Sequence, residues 1–287
     1  MTAIDFSDAE RRRLLGLAYR MLGSRADAED VLQDAWIRFS GVAEVRDRAA
    51  LLTTIVTRLC IDRLRVLRKG REPYVGTWLP EPVANDDAAS PETALEIADD
   101  LSFALLVALE TLSPPQRAAF LLHDVFDLPF AEVSEILDQS EVACRQLASR
   151  ARKVVRSGRK RTQVGDQSHR ELLSAFLTAT VSGDLEELKG ILAEDATLYS
   201  DGGGKALTAL NPIRGSDRIA RFFIGIMKKV ASSGESYSAE FRELANGDGL
   251  VILDGDEAIQ VFFAETNEGR IDTIFQVCNP DKLVALH

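Results

Sequence analysis

Residues 138–156 read DQSEVACRQLASRARKVVR. Ser140 is a good N-cap, so a helix is predicted to begin directly after it, and a second helical pattern precedes the break at Asp138-Gln139-Ser140. At about 100° per residue, one face of the later helix is apolar and carries Ala143, Leu147, Ala151 and Val154, with Cys144 and Val155 beside them. The opposite face carries Arg145, Ser149, Arg152 and Arg156. This arrangement predicts a helix-turn-helix over residues 115–157 with one face packed and the other exposed.

The second helix of such a motif presents its first two turns to the major groove of DNA. We therefore expect Arg145, Gln146 and Ser149 to contact base edges. The later basic residues are expected to neutralise phosphates: Arg152, Lys153 and Arg156. A solvated basic helix in an ordinary bundle explains this segment about equally well when the segment is taken alone.

The composition predicts a folded chain of two to three domains, because 287 residues with 46% apolar content can fill several cores. Cys60, Cys144 and Cys278 lack metal-like spacing, and the three histidines are scattered. We therefore expect buried, reduced thiols and neither a metal site nor a cofactor. No basic-plus-apolar signal segment is evident, and no apolar run approaches the roughly 18 residues of a membrane span. A cytoplasmic protein with no membrane partner is expected.

The net charge of −11 is unevenly distributed. Residues 163–287 hold 11 Lys/Arg against 20 Asp/Glu, so most of the negative charge lies in the C-terminal part. Two basic blocks stand out in the first part: Arg58, Arg63, Arg65, Arg68, Lys69 and Arg71, then Arg145, Arg150, Arg152, Lys153, Arg156, Arg159, Lys160 and Arg161. Basic faces on an otherwise acidic chain favour localised contact with a polyanion.

Two further stripes mark the first 71 residues, which are predicted to be helical with breaks near Gly23-Ser24 and Gly41. Asp27, Asp30 and Asp34 share one side of a helix capped by Ser24. The next helix places Arg58, Asp62, Arg65 and Lys69 in one stripe, opposite Leu52, Ile55 and Leu59. The acidic stripe fits a binding surface and an ordinary solvated helix face equally well.

A proline-rich linker follows at residues 72–94, where Pro73, Pro80, Pro82 and Pro91 interrupt the helical pattern. It also contains Trp78 and Leu79, which a purely flexible tether would not normally carry. We expect another part of the chain to cover them.

The C-terminal part predicts a separate α+β domain. Residues 168–182, 184–192 and 216–232 have helical patterns, and 196–200 reads as a short strand. Four alternating runs follow, at 237–244, 250–253, 258–265 and 270–277, with glycine-containing turns between them. Helices followed by an antiparallel meander are typical of an α+β domain.

The order of these segments resembles an extracytoplasmic-function (group 4) bacterial RNA polymerase sigma factor. Residues 27–34, DAEDVLQD, resemble the segment that binds the polymerase clamp, and residues 59–65, LCIDRLR, the segment that faces the −10 promoter element. Residues 101–157 resemble the −35-binding domain, and the last part resembles a SnoaL-like domain of the nuclear-transport-factor-2 cone fold. With residues 78–82 (WLPEP), 201–205 (DGGGK) and 279–283 (NPDKL), nearly the whole chain resembles the ECF41 or SigJ-like group.

The resemblance implies a multidomain fold with two all-α sigma domains, the second containing the helix-turn-helix, plus an α+β NTF2/SnoaL-like cone domain. The implied boundaries are 1–72 for sigma region 2, 73–94 for the linker, 95–162 for sigma region 4 and 163–287 for the SnoaL-like regulatory domain. The implied partners are promoter DNA and core RNA polymerase, through its β′ clamp and β flap, with no separate anti-sigma factor required. A small-molecule ligand in the C-terminal domain is left open.

The resemblance also assigns residues to these contacts. Core polymerase binding falls to Asp27, Asp30, Gln33 and Asp34, and −10 binding to Arg58, Asp62, Arg63, Arg65 and Lys69. Arg58 stands where many relatives carry an Asn that captures a flipped base, so we expect Arg58 and Arg65 to make backbone or mixed contacts. The −35 element falls to the six residues of the predicted recognition helix. Interdomain regulation falls to Trp78, Leu79, Pro80, Glu81, Pro82, Asp201, Gly202, Gly203, Gly204, Lys205, Asn279, Pro280, Asp281, Lys282 and Leu283.

Two other functions remain open at this point: a ligand-responsive DNA-binding regulator, and a cone-fold enzyme fused to a DNA-binding module. For the enzyme, Asp195, Asp201 and Lys205 are the candidate acid/base groups, although no nucleophile–base pair is visible and no catalytic residue is assigned. We therefore expect a sigma factor, not an enzyme, whose fused third domain modulates its activity.

Overall fold

The computed structural model describes residues 6–42, 45–70, 74–84, 102–158 and 166–286. Within these ranges the chain forms two compact units. The first takes residues from 6–70 and 104–158, and the second takes residues from 74–84, 102–103 and 166–286. None of the described helices is long and apolar enough to cross a membrane.

The first unit is helical. Its helices are α1 (Asp8–Leu22), α2 (Arg25–Ser40), α3 (Arg48–Gly70), α4 (Phe103–Glu110, whose first residue belongs to the second unit), α5 (Pro114–Phe120), α6 (Phe130–Leu137) and α7 (Glu141–Gly158), with a π-helical turn at Leu121–Val125 after α5. The Ser7 side chain caps α1 in a capping box with Glu10, and Gly23 ends this helix at a φ of 71°. Ser24 caps α2 through the Asp27 amide, as its sequence position predicts.

Helices α1, α2 and α3 pack around one core, which includes Leu14, Leu17, Leu32, Leu52 and Val56. Helix α3 also contacts α5 and α6, so the segments predicted as sigma regions 2 and 4 belong to one unit. The side chain of Arg117 in α5 lies inside this unit with 1% of its surface exposed. It donates hydrogen bonds to Met21 O (2.7 Å) and to Glu110 Oε1 (2.6 Å), and thereby joins α5 to α1 and α4.

The predicted helix-turn-helix is formed by α6, a short turn and α7. Asp138 ends α6 in the left-handed region at a φ of 54°, a conformation that Asp tolerates better than most residues. The Gln139 amide then donates to Ser134 O, and the Ala143 amide donates to Ser140 Oγ. Ser140 is therefore the N-cap that the sequence predicts.

The second unit combines helices with one sheet. Its elements are α8 (Asp166–Ser182), α9 (Leu185–Ile191), β1 (Leu192–Asp201), β2 (Ile213–Arg214), α10 (Ser216–Ser233), β3 (Ser238–Leu244), β4 (Gly247–Asp254), β5 (Glu257–Asn267), β6 (Arg270–Val277) and α11 (Pro280–Leu283), with a 3₁₀ turn at Val284–Leu286. The strand order is β2-β1-β6-β5-β4-β3. Strands β3 to β6 form the predicted antiparallel meander, and β1 pairs parallel to β6.

The sheet buries both of its faces. One face packs against α8, α9 and α10 in a core that contains Phe176, Leu198, Phe223, Phe262 and Ile274. The opposite face carries an aromatic cluster in which the Phe103 ring stacks on Phe263 at 4.2 Å between centroids and lies 5.5 Å from Phe275.

Candidate nucleic-acid interface and linker-binding site

Helix α7 has one buried and one exposed face. The buried stripe is Cys144, Ala148, Ala151 and Val155. The predicted stripe of Ala143, Leu147, Ala151 and Val154 is therefore wrong by one position for most members: Ala143 and Leu147 are half-buried and Val154 is exposed. Small side chains at 148 and 151 allow α5 to approach closely, and this packing fixes the face that turns inward.

The exposed face of α7 carries most of the predicted DNA contacts. Val142, Arg145, Gln146, Ser149, Arg150 and Lys153 line one shallow surface concavity. Arg156 is also exposed. Arg152 differs, because its guanidinium is half-buried and lies 2.6 Å from the Asp124 carboxylate of the π-helical turn. Val142 and Arg150 are residues of this surface that the sequence analysis did not assign.

Arg145 is held in place by two neighbours. Its guanidinium lies 2.5 Å from the Glu141 carboxylate, one turn earlier on the same helix, and 5.3 Å above the Phe130 ring. The other neighbour of that ring is His123, at 3.8 Å between centroids. An arginine held by a carboxylate and an aromatic ring loses less side-chain freedom when it contacts a base.

The acidic stripe of α2 is largely exposed. Asp30, Gln33 and Asp34 project from the helix, followed one turn later by the exposed Ile37. Asp27 is less accessible, because its carboxylate accepts two hydrogen bonds from Arg63 of α3, at 2.9 and 2.6 Å. These bonds raise the pKa of the Arg63 guanidinium. Arg63, a predicted −10 residue, thus contacts the acidic stripe.

Helix α3 presents the other predicted −10 residues. The Arg58 guanidinium donates to Ile136 O (2.9 Å) and Glu135 O (3.0 Å), two carbonyls in the last turn of α6. Arg65 and Asp62 form an exposed ion pair at 3.0 Å. The side chain of Lys69 lies outside the described residues. Arg58, Asp62, Arg63 and Arg65 are all exposed, but Arg58 is held by the carbonyls of α6 and Arg63 by Asp27.

A buried carboxylate organises the second unit. Asp201, the last residue of β1, has no exposed surface. It accepts hydrogen bonds from Tyr74 Oη (2.5 Å), the Leu79 amide (2.8 Å) and the Gly203 amide (3.1 Å), and the Lys282 ammonium lies 2.6 Å away. We call Tyr74, Trp78, Leu79, Asp201 and Lys282 the linker-binding site.

Lys282 completes this site on its other side. Its ammonium donates to Leu79 O and lies 4.0 Å from the centre of the Trp78 ring and 5.4 Å from that of Tyr74. Asn279 Nδ2 donates to Tyr74 Oη at 3.0 Å. The C-terminal domain thus hydrogen-bonds both backbone groups of Leu79 and contacts the rings of Trp78 and Tyr74. This is the cover that we expected for Trp78 and Leu79.

The glycine loop after β1 is shaped by close approach. A Cβ on Gly202 would lie 2.5 Å from Ala206 O. Gly203 has a φ of 58°, and a Cβ there would lie 2.7 Å from Asn279 Cγ. Lys205 reaches the Asp281 carboxylate at 2.5 Å on the exposed side. The segments DGGGK and NPDKL thus form one contact surface, and both were expected from the resemblance to take part in interdomain regulation.

The linker continues along the edge of the sheet. The Val83 amide donates to Asn246 Oδ1 (3.0 Å), the Ala245 amide donates to Val83 O (2.9 Å), and Ala84 bridges to Leu244. Pro80 and Pro82 are buried, and Glu81 is half-buried. Sequence analysis missed Tyr74 and Asn246; an aromatic hydroxyl just before the motif was the available signal for the first.

The acid/base groups of the enzyme alternative do not meet. Asp201 is fully engaged by the linker, Lys205 pairs with Asp281, and Asp195 is exposed in another part of β1. Among the described residues, no cluster of His, Cys, Asp or Glu has the arrangement of a metal site. This catalytic site is therefore excluded.

All three cysteines are buried and unpaired, as predicted. Burial raises the pKa of the Cys60 and Cys278 thiols far above the ordinary value, and that of Cys144 to a smaller degree. The thiols therefore remain protonated at neutral pH.

Comparison with known proteins agrees with this arrangement. The family model "Sigma-70 region 2" matches residues 7–70, and "Sigma-70, region 4" matches residues 102–155. The chain is 41% identical to the ECF RNA polymerase sigma factor SigJ of Mycobacterium tuberculosis, over 96% of this chain and 91% of SigJ. It is 32% identical to the sigma factor SigI of the same species over 64% of each chain.

The crystal structure of Mycobacterium tuberculosis SigJ matches the present one with a TM-score of 0.77 and 38% identity, and the match covers 96% of both chains. The predicted fold class is therefore confirmed as helical sigma domains followed by an α+β domain. Members of this family bind core RNA polymerase and promoter DNA in the cytoplasm and initiate transcription, so the predicted function is confirmed over the enzyme alternative. The chain belongs to the extracytoplasmic-function sigma factors of bacterial RNA polymerase.

Proposed function

We propose that this sigma factor uses three separate surfaces during initiation and that its third domain regulates them in cis. Helix α2 binds the β′ clamp through Asp27, Asp30, Gln33 and Asp34, α3 faces the −10 element, and α7 reads the −35 element. The region 4 domain also contacts the β flap. The division at residues 1–72, 73–94, 95–162 and 163–287 is part of this proposal.

The polymerase contact is supported by charge and exposure. Asp30, Gln33 and Asp34 are exposed on one side of α2, and such charges contribute little to stability but strongly favour a basic partner. Asp27 lies at the end of this stripe, bonded to Arg63. The Asp27–Arg63 ion pair joins α2 to α3 and thereby fixes the proposed polymerase-binding surface relative to the proposed −10 surface.

The DNA contacts are supported by the basic concavity of α7. Arg145, Gln146 and Ser149 lie in its first turns, where side chains reach base edges. Lys153 and Arg156 follow at positions suited to phosphates. Arg152, paired with Asp124, contributes by fixing the turn before the recognition helix as well as by its charge.

The observation that carries the regulatory part is the buried pair of Asp201 and Lys282, which together hold both backbone groups of Leu79. Because Leu79 lies in the chain that joins sigma regions 2 and 4, the third domain controls the conformation of that connection. Covalent attachment gives this contact an effective concentration in the mM range, so no separate anti-sigma factor is required.

A small ligand of the third domain would belong, in this proposal, beside a polar chain of side chains in the core of that domain. Ser200 Oγ donates to Gln276 Oε1 (2.8 Å), and Gln276 Nε2 donates to Gln260 Oε1 (3.2 Å), on the sheet face that α8–α10 cover. A polar chain in an apolar face is suited to orient a neutral ligand. Thermal stabilisation of the full chain by such a ligand should disappear in Gln276→Leu.

The test of cis regulation compares two aspartates of the same strand in full-length protein. Asp201→Asn should release residues 74–84 and change run-off transcription by core polymerase, whereas Asp195→Asn, at an exposed position, should leave it at the wild-type level. Hydrogen exchange at the Leu79 amide verifies the release. Unchanged transcription with a released linker would contradict regulation by this contact.

A further inference from the structure

Val142 is an exposed apolar side chain on a polar surface. It is the second residue of α7, and 61% of its surface is exposed. The other residues around the concavity are Arg145, Gln146, Ser149, Arg150 and Lys153. Val142 therefore stands among the predicted DNA-contacting side chains.

A single exposed valine is common in proteins, so exposure alone carries no function. The surroundings of Val142 give the stronger argument. Three basic side chains line the concavity; Arg145 is paired with Glu141 at its edge, whereas Arg150 and Lys153 add positive charge to a chain whose net charge is −11. Charge complementarity therefore favours a polyanion as the occupant. Duplex DNA presents apolar groups in its major groove only as the 5-methyl groups of thymine.

We propose that Val142 contacts the 5-methyl group of a thymine in the −35 element and makes the promoter preference depend on that methyl. The proposal rests on the assignment of α7 as the −35-reading helix and adds a specificity-determining residue to it. Gln146 and Arg145 can bond adenine and guanine edges, and Val142 supplies the apolar contact that neither can make.

The spacing along the helix limits where this thymine lies. Val142 precedes Arg145 by three residues and Gln146 by four, so the three side chains share one face within one turn, about 5 Å along the axis. Base pairs are stacked about 3.4 Å apart. The thymine is therefore expected within about two base pairs of the base that Arg145 or Gln146 contacts.

The experiment uses holoenzyme assembled from core polymerase and the full-length protein. The preferred −35 sequence is first selected from a randomised library. Each thymine in it is then replaced by deoxyuridine, which removes only the methyl group. At one position we expect affinity to fall about three- to fivefold, the effect of one buried methyl. Val142→Ala should remove that loss, so that thymine and deoxyuridine are bound equally.

Val154→Ala is the matched control, because Val154 is an exposed valine of the same helix outside the concavity. It should retain the deoxyuridine effect. The proposal is overturned if no thymine shows the effect. It is also overturned if the effect persists in Val142→Ala, because another residue would then contact the methyl group and Val142 could instead contact a protein. Arg145→Ala tests the underlying assignment separately. If this variant still selects the wild-type −35 sequence, α7 is not the helix that reads it. If Arg145→Ala loses selectivity but Val142→Ala has no effect, only the thymine contact is overturned.

Discussion

Replacing Lys282 by Met tests whether one ammonium group holds the linker on the third domain. Methionine keeps the length and apolar stem of the side chain but removes its charge. The change takes away the ion pair with Asp201 at 2.6 Å, the hydrogen bond to Leu79 O and the cation–π contact at 4.0 Å from the Trp78 ring. Asp201 keeps its hydrogen bonds from Tyr74, Leu79 and Gly203.

The expected cost is large because the pair is buried. Breaking a buried ion pair by removing one partner costs about 3–5 kcal/mol, since the remaining charge stays in a poorly solvated place. Lys205→Met is the matched control, because Lys205 pairs with Asp281 at the exposed side of the same motifs. An exposed pair contributes at most about 1 kcal/mol. Comparing the two substitutions therefore distinguishes the contribution of a buried ion pair from that of an exposed one.

The Leu79 amide is a direct probe, because it donates to Asp201. Hydrogen exchange at the Leu79 amide is controlled by opening of the linker-binding site. If the free energy of opening falls by about 3–5 kcal/mol, exchange becomes about 10²- to 10⁴-fold faster. Lys205→Met should change it by no more than about fivefold. Equal, small effects of the two substitutions would refute the reasoning that the buried ammonium holds the linker.

Three further predictions concern the helical unit and the thiols. Arg145→Ala should lose selectivity for the −35 element, whereas Arg156→Ala should weaken binding to all promoters equally and reduce its salt dependence, as competition binding at several salt concentrations would show. The double change Asp30→Lys and Asp34→Lys should abolish co-purification with core polymerase without altering the circular dichroism spectrum; undiminished assembly would return this stripe to an ordinary solvated face. The cysteines, whose pKa values burial raises, should resist a thiol-specific reagent at pH 8 in the native protein and react after addition of urea; fast labelling of the native protein would contradict their burial.

Local patterns predicted the elements of both units well, because caps, breaks and periodicity act within a few residues. Ser24 and Ser140 cap the expected helices, and the four alternating runs form the meander. The buried stripe of α7 was misjudged by one position, since Ala143 and Ala148 are equally apolar in sequence and only packing against α5 distinguishes them. Periodicity gives the existence of a face more reliably than its centre.

Contacts between distant residues needed the fold. The motif residues Asp201 and Lys282 were expected in a regulatory surface, but nothing local shows that they meet each other and Leu79. The ion pair of Arg152 and the position of Arg58 against α6 likewise join residues 28 and 78 positions apart. Long-range polar contacts of this kind leave no periodic signal, and only the resemblance to a family brought the three motifs together.

The wide sequence separation within the linker-binding site sets an order of events during synthesis. Leu79 and Lys282 are 203 residues apart. At a typical rate of translation, roughly 5–20 residues per second, Lys282 is added about 10–40 s after Leu79. Helices α1 to α3 have by then been available for folding for the whole interval, since helices form in microseconds. Covering of Trp78 and Leu79 is therefore a late step in folding. During synthesis, the nascent chain passes through a stage in which its N-terminal sigma region can fold before the regulatory domain has been made.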